Sequence, residues 1–410
     1  MKMFGRKRFL SLVVSVAVLA LSIAVIQIKP GDGQDAVNSP DIKPSDKKHT
    51  VAVSFPDEVK KNDRSFVKGV WIPYMSLDMK GTDRSENAAG QRLDEIFEGI
   101  KSSGADTAFL HVRPFGDALY KSRIFPSSHV LSGVQGKYPG YDFLSLAAAV
   151  AKQKGIHLHA WINPLRISLK NIPEELSDDN PCVKWQNDDD SENDRWTFRS
   201  GDVLYYNPAY PAVRKLIADG VRELVRNYDI DGIVIDDYFY PEDDMDCDKH
   251  EYDLYCEAAG LTYLSQENWR KGNINSLISS LYSAVHYERS ECVFGISPQC
   301  NIDNNEKIAA DIRTWGRIPG YADYISPQIY VSEKHPTLPF EKSLKQWQSI
   351  VTAKDIRLYV SLALYKEGTD ADGGTWLLKD TNITDQIGIC RKAGTDGVIL
   401  YSYENMAEKG

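Results

Sequence analysis

An apolar run that stops abruptly on two carboxylates and then on aromatic rings is the strongest chemical signal in the sequence: Tyr228-Asp-Ile-Asp-Gly-Ile-Val-Ile-Asp-Asp-Tyr-Phe-Tyr-Pro241. Acid beside ring suggests sugar chemistry. Cleaving a glycosidic bond passes through an oxocarbenium-like transition state, which calls for a carboxylate near the anomeric carbon and a second carboxyl group to protonate the leaving oxygen. Flat faces for sugar rings are offered by Tyr238 and Tyr240, against the plainer reading that Asp236 and Asp237 cap a strand or a helix N-terminus. Two further segments have the same form. In Arg113-Pro-Phe-Gly-Asp117, Arg113 is a candidate to hold a carboxylate or hydroxyls and Asp117 a candidate acid, with a structural Arg–Asp pair as the alternative. In Trp161-Ile-Asn163-Pro-Leu-Arg166, Trp161 is a candidate sugar platform, Asn163 a hydroxyl ligand and Arg166 a further binding group, unless Trp161 simply packs in a core.

These segments need a frame. From residue 67 the chain repeats one unit, a short β-branched or aromatic run, a polar loop and an amphipathic helical stretch. Eight runs recur: Val67–Ile72, Thr107–Val112, Ile156–Ile162, Gly232–Asp236, Val293–Ser297, Asp323–Tyr330, Arg357–Leu364 and Gly397–Tyr401. Helical patterns lie between them over Gln91–Ser103, Asp142–Lys154, Ala212–Tyr228, Ile274–Tyr287, Phe340–Ala353 and Asp385–Lys392. Eight β-α units predict an α/β fold, a (β/α)8 TIM barrel with loop insertions after strands 3 and 4. A doubly wound sheet is the runner-up, but no Gly-rich phosphate loop follows the first run.

Side chains alternate across a strand, and each run separates an aliphatic parity from a polar or aromatic one. His157, His159, Trp161 and Asn163 oppose Leu158, Ala160 and Ile162; Gly232, Val234 and Asp236 oppose Ile233 and Ile235; Ser326, Gln328 and Tyr330 oppose Ile325 and Ile329. The aliphatic set should face the outer helices, so the other set points inward. Its last members then gather at the C-terminal mouth: Trp71, Arg113, Trp161, Asn163, Asp236, Gln299, Gln328, Tyr330, Tyr365, Tyr401 and Tyr403. Parity makes Asp236 the anionic catalyst, nucleophile or base, and leaves Asp237 as a supporting residue or proton donor unless the strand has already ended. Glu242 and Glu404 are the other candidate acids.

Composition bounds the partners. The chain is 42% hydrophobic and 26% charged, the profile of an ordinary globular protein. Its first 29 residues hold five basic groups and no acid, so the remainder carries 43 basic against 58 acidic residues. With no basic stripe in evidence, nucleic-acid binding is not expected. Lys2 to Arg8 is basic and Leu10 to Ile28 is an apolar run broken only by Ser and Gln27. Residues 1–29 therefore read as a signal peptide or an uncleaved signal anchor, residues 30–65 as a polar linker, and 66–410 as the barrel. On that reading the barrel is extracytoplasmic, secreted or held at the membrane by residues 10–28.

Six Cys (182, 247, 256, 292, 300, 390) include no C-x-x-C, so no zinc site or redox pair is expected; a Cys247–Cys256 or Cys292–Cys300 disulfide and free thiols are equal alternatives. His111, His157 and His159 fit hydrogen-bonded core histidines better than a metal centre. Of the acidic segments 188–194 and 242–248, the second is followed by Lys249 where a calcium loop needs Gly and Tyr255 where it needs Glu, and both read as solvated walls of the cleft, with Tyr205-Tyr206-Asn207. Neither metal nor cofactor is expected.

Lys68-Gly-Val-Trp-Ile, Val112-Arg-Pro-Phe-Gly-Asp-Ala-Leu-Tyr120, His159-Ala-Trp-Ile-Asn-Pro-Leu-Arg166, Asp231 to Pro241, Ser326-Pro-Gln-Ile-Tyr330 and Asp396-Gly-Val-Ile-Leu-Tyr401 resemble the glycosyl-hydrolase-like 10 family, over roughly residues 66 to 405. The resemblance implies an exported TIM-barrel glycosidase of the bacterial envelope, acting on a polysaccharide, with peptidoglycan glycan strands, particularly peptide-stripped ones, as the leading substrate. The fourth run is also similar to that of the α-amylase clan, where the position of Asp236 holds a nucleophile. That clan's Arg two residues earlier is Val234 here, and its acid after strand five is missing from Phe294-Gly-Ile-Ser-Pro-Gln299. The missing acid is the argument for the alternative, a catalytically silent barrel that binds wall glycan.

Overall fold

The computed structural model describes residues 50–51, 66–77, 83–242 and 244–406. Eight parallel staves close into a barrel: β1 (Val67–Ile72), β2 (Thr107–Arg113), β3 (His157–Ile162), β7 (Gly232–Ile235), β8 (Val293–Ile296), the split stave β9 (Tyr324–Ile325) and β10 (Gln328–Ile329), β11 (Arg357–Ala363) and β12 (Gly397–Tyr401), with β12 pairing back onto β1. Runs such as Thr107–Arg113 are buried along their whole length, as expected where helices cover one face and the barrel interior the other.

All eight predicted runs are staves, and the helical patterns between them are helices, some of them starting well before the pattern does. Glu86–Ser102 begins a turn earlier than its apolar pattern, where the Ser85 hydroxyl accepts the amide of Ala88. Asp142 is the cap rather than the first residue of Phe143–Lys154, and Gly155 ends that helix with φ +71°. The sixth stave is interrupted at Ser326-Pro327, because proline brings no amide to the ladder.

The insertion after β3 carries structure that alternation did not anticipate, a small antiparallel sheet of β4 (Arg166–Leu169), β6 (Val203–Tyr206) and β5 (Thr197–Ser200). The insertion after β7 carries the helix Lys249–Ala259. There the expectation of a wholly solvated acidic loop fails: Asp248 is fully buried and receives the guanidinium of Arg270, Nε to Oδ2 at 2.9 Å. Asp188 to Asp194, by contrast, is largely exposed.

The expected N-terminal apolar segment, residues 1–29, lies outside the described residues. Among those described, no helix is long and apolar enough to cross a membrane. Within the stretch expected as a linker, Val51 pairs with Met406, its amide donating to Asn405 O at 2.7 Å. The six cysteines are free thiols, Cys182, Cys292 and Cys390 buried.

Parity holds inside the barrel, although the interior is more aromatic than polar. Trp71, Phe109, Trp161, Val234, Tyr324, Tyr359 and Ile399 form one cluster, separate from the larger core between staves and helices. Inward-facing glycines make room for the rings. A Cβ on Gly295 would sit 1.9 Å from the Tyr324 ring, and one on Gly232 2.6 Å from His159, whose Nδ1 meets the Tyr324 hydroxyl at 2.9 Å. His157 instead lies exposed, against Asp231.

Candidate active site

The stave β7 stops at Ile235, one residue short of the predicted run, so Asp236 and Asp237 are both free of the pleat. Consecutive residues then turn toward opposite neighbours. Asp236 Oδ2 accepts the indole N–H of Trp161, on β3, at 2.9 Å, and Asp237 Oδ1 accepts the side-chain amide of Gln328, on β10, at 2.9 Å. The same Gln328 nitrogen donates to Ser297 O at 3.0 Å, which ties Asp237 to the end of β8.

Both carboxyl groups are nearly sealed, with Asp236 3% exposed, and its Oδ1 has no hydrogen-bond partner. Burial pushes the Asp236 pKa up to about 7, and the charge of Asp237 adds to the effect, while Arg166 and the Trp161 bond oppose it. A carboxyl group in this state holds a proton near neutral pH. Since the indole bond favours the ionised form, Trp161→Phe is expected to raise the Asp236 pKa further, by about one unit. Carboxyl carbon NMR titration reads that shift directly, and an unmoved titration would show that the bond does not tune the acid.

Trp161 is less a platform than the sequence led us to expect. One face is covered by His111, stacked at 3.6 Å and 10° between planes. His111 is not the hydrogen-bonded core residue expected either: it is buried with both ring nitrogens unpartnered. Burial holds its pKa well below the usual value, and the cations of Arg166 and Arg113 act the same way, so the ring is neutral. The edge of Tyr74 closes over His111, with ring centroids 5.7 Å apart.

Exposed aromatic surface comes instead from Tyr238, while half-buried Tyr330 packs with Tyr365 and Tyr401 at centroid distances of 5.6–6.0 Å. Tyr205, expected in a wall of the cleft, stacks on Phe198 within the small sheet. Tyr206, grouped with that wall in the sequence, is fully buried.

Several expected site residues lie elsewhere. A register shift between His111 and Arg113 takes Arg113 off the inward parity. Its Nη2 donates to the carbonyls of Asn163 and Pro164 at 2.8 and 3.0 Å, so Arg113 braces a turn instead of meeting substrate. Asn163 is fully buried, its Oδ1 accepting the amide of Arg166 at 3.0 Å. Asp117 is fully buried and accepts from Gln135 while facing His129 at 3.0 Å, which removes it from the acids open to solvent. Tyr240 is 2% exposed, under the Arg270 guanidinium. Tyr403 packs outward against Gly99 and Arg92 of the first helix. Glu404 is half-buried on the turn after β12, the stave opposite β7 around the ring.

The structure thus brings together Asp236, Asp237, Trp161, Arg166, Tyr238, Gln328 and Tyr330, and adds His111, Tyr74 and Phe115. His111 shared the inward parity of Trp161, which was the available signal; Tyr74 and Phe115 sit in loops, where no periodicity points. Among the described residues no three His, Cys, Asp or Glu side chains converge on a metal position.

The family model for Glycosyl hydrolase-like 10 matches residues 66–373. Glycosyl hydrolase DigH of Escherichia coli O6:H1 is 30% identical over 316 residues, 73% of this chain and 71% of that one. Glycosyl hydrolase YngK of Bacillus subtilis is 29% identical over 347 residues; these cover 79% of this chain but only 65% of YngK. Among solved structures, the PgaB (BpsB) glycoside hydrolase domain from Bordetella bronchiseptica is similar in fold, with a TM-score of 0.57 at 15% identity over 82% of this chain and 94% of that one.

Proposed function

The chain belongs to the glycosyl hydrolase-like 10 family, and from that premise we propose that it is an exported glycoside hydrolase of a bacterial envelope polysaccharide. Peptidoglycan glycan strands, in particular peptide-stripped ones, are the proposed substrate. The observation that carries the reading is the Asp236–Asp237 pair, one carboxyl held by Trp161 and its neighbour by Gln328 at the C-terminal mouth of the barrel.

Their environments separate their roles. Asp236, with its pKa raised to about 7 and one oxygen unpartnered, is the proton donor to the leaving glycosidic oxygen. Asp237, whose oxygen accepts the Gln328 amide, supplies the negative charge that favours the oxocarbenium-like transition state. This exchanges the roles that strand parity alone assigns. Tyr238 and Tyr330 present the sugar-facing rings. Export rests on the apolar run at residues 10–28 that follows Lys2 to Arg8.

The test is to incubate the full-length chain with intact and with amidase-stripped peptidoglycan and to identify released glycans by mass spectrometry. Cleaved strands, more abundant from the stripped material, are the expected result. Retained glycan binding with no cleavage would instead establish a binding barrel.

A further inference from the structure

Three arginines are buried in, beside or below the mouth, and they are compensated unequally. Arg270 meets the carboxylate of Asp248 through two nitrogens. Arg113 is bound by two backbone carbonyls through Nη2, deep below the mouth, with its Nη1 buried and unpartnered. Arg166, only 7% exposed, has one carbonyl, Pro114 O, at 3.1 Å from its Nε. Among the described residues no carboxylate stands within ion-pair distance of it.

Its position is nevertheless closely held. Asn163 Oδ1 fixes its amide, and its guanidinium lies between two rings, 5.0 Å from the centroid of Phe115 and 4.4 Å from that of Tyr238. Phe115 comes from the loop after β2 and Tyr238 follows the catalytic pair, so Arg166 stands between the walls of the mouth. It acts on Asp236, favouring its charge, and on His111, disfavouring its charge. An unpaired buried cation is costly, and an anion arriving with a ligand removes that cost. A guanidinium fixed by stacking presents its remaining N–H groups in a plane, which matches a carboxylate.

We infer that Arg166 reads a carboxylate borne by the sugar that binds beside the scissile linkage, so that the preferred substrate is an acidic glycan. The inference rests on the hydrolase reading above for its reaction, but not for its binding site. It explains how a chain of formal charge −10 accepts an anionic polymer: attraction is confined to one point while the surface repels. It also connects charge with the peptide-stripped state. The lactyl ether of muramic acid carries a free carboxylate when its peptide is absent and a neutral amide when the peptide is attached.

The experiment uses amidase-stripped glycan strands and the same strands with every lactyl carboxylate converted to the methylamide, which changes charge but keeps the rings. The full-length chain is expected to show kcat/KM about ten- to hundred-fold higher on the acid strands, mainly through KM. Arg166→Gln should bring the ratio close to one, and Arg166→Lys should restore part of it. Equal turnover of both strands by the parent, or equal loss on both in Arg166→Gln, would overturn the inference. If neither strand is cleaved, the hydrolase reading fails, and calorimetric binding of the same two strands decides the matter. A ten-fold preference for acid strands that disappears in Arg166→Gln supports the assignment, and equal binding by the parent refutes it.

Discussion

Asp236→Asn is expected to lower kcat on glycan strands by about 10²–10⁴-fold, the range typical for loss of a positioned proton donor. The amide still accepts the Trp161 N–H, so binding and fold should survive and KM should change little. The parent itself should lose activity as pH rises through about 7, where buried Asp236 gives up its proton. Stability moves with the same proton. The folded pKa is raised from 3.8 to about 7, so in that window the native form retains a proton that the unfolded chain has released. Stability therefore falls as pH rises across the window and is level above it. Asp236→Asn has no charge to bury and should lose that slope, melting like the parent near pH 4 and above it beyond pH 7. A variant within ten-fold of parental activity, or a parent with no alkaline limb near 7, would remove Asp236 from the acid role.

The second large effect is on folding. Arg270→Met is expected to destabilise the chain by about 3–5 kcal/mol, because it leaves the Asp248 carboxylate buried without its cation. Asp248 is fully enclosed, and its other neighbour is the Gln266 amide at 2.9 Å, which cannot neutralise it. Arg270 also covers the Tyr240 ring at 4.7 Å and donates to Asp244 O at 2.8 Å, so its loss loosens the segment that follows Asp236 and Asp237. Urea denaturation should show a lower midpoint at unchanged slope. The double variant Arg270→Met with Asp248→Leu should recover much of the loss, since an apolar pair carries no desolvation penalty. A single-variant effect below about 1 kcal/mol would mean that water reaches the pair.

The staves were legible because a barrel imposes two signals at once, a run length and a two-residue alternation, and both survive in sequences such as Ile325 to Tyr330. Asp236 was legible for the same reason, as the polar member that ends an apolar stave. What escaped was governed by local departures from that regularity. The irregularity at His111–Arg113 cannot be read from residue types, and it converts Arg113 from a mouth residue into a brace for the Asn163 turn. Tyr240 was grouped with the mouth by nearness in sequence to the acids and Tyr403 by carrying the parity of β12 beyond Tyr401, yet past the end of a stave parity no longer governs direction, and both pack away from the cleft. Asp248 looked like one more residue of an acidic loop, because its partner Arg270 lies 22 residues away on a helix whose pattern was recognised only from Ile274 onward. Arg166 was found, but its significance lies in a missing partner, and a sequence does not display what a side chain lacks.

Beneath Trp161 the barrel is filled by Trp71, Phe109, Tyr324, Tyr359 and Ile399, none more than 4% exposed. Such a floor backs Asp236 with packed rings rather than with polar groups that could relay a proton. On the hydrolase reading this costs nothing, since the proton that goes to the departing sugar is returned by the water that completes hydrolysis, and the pair recovers its starting state without supply from below.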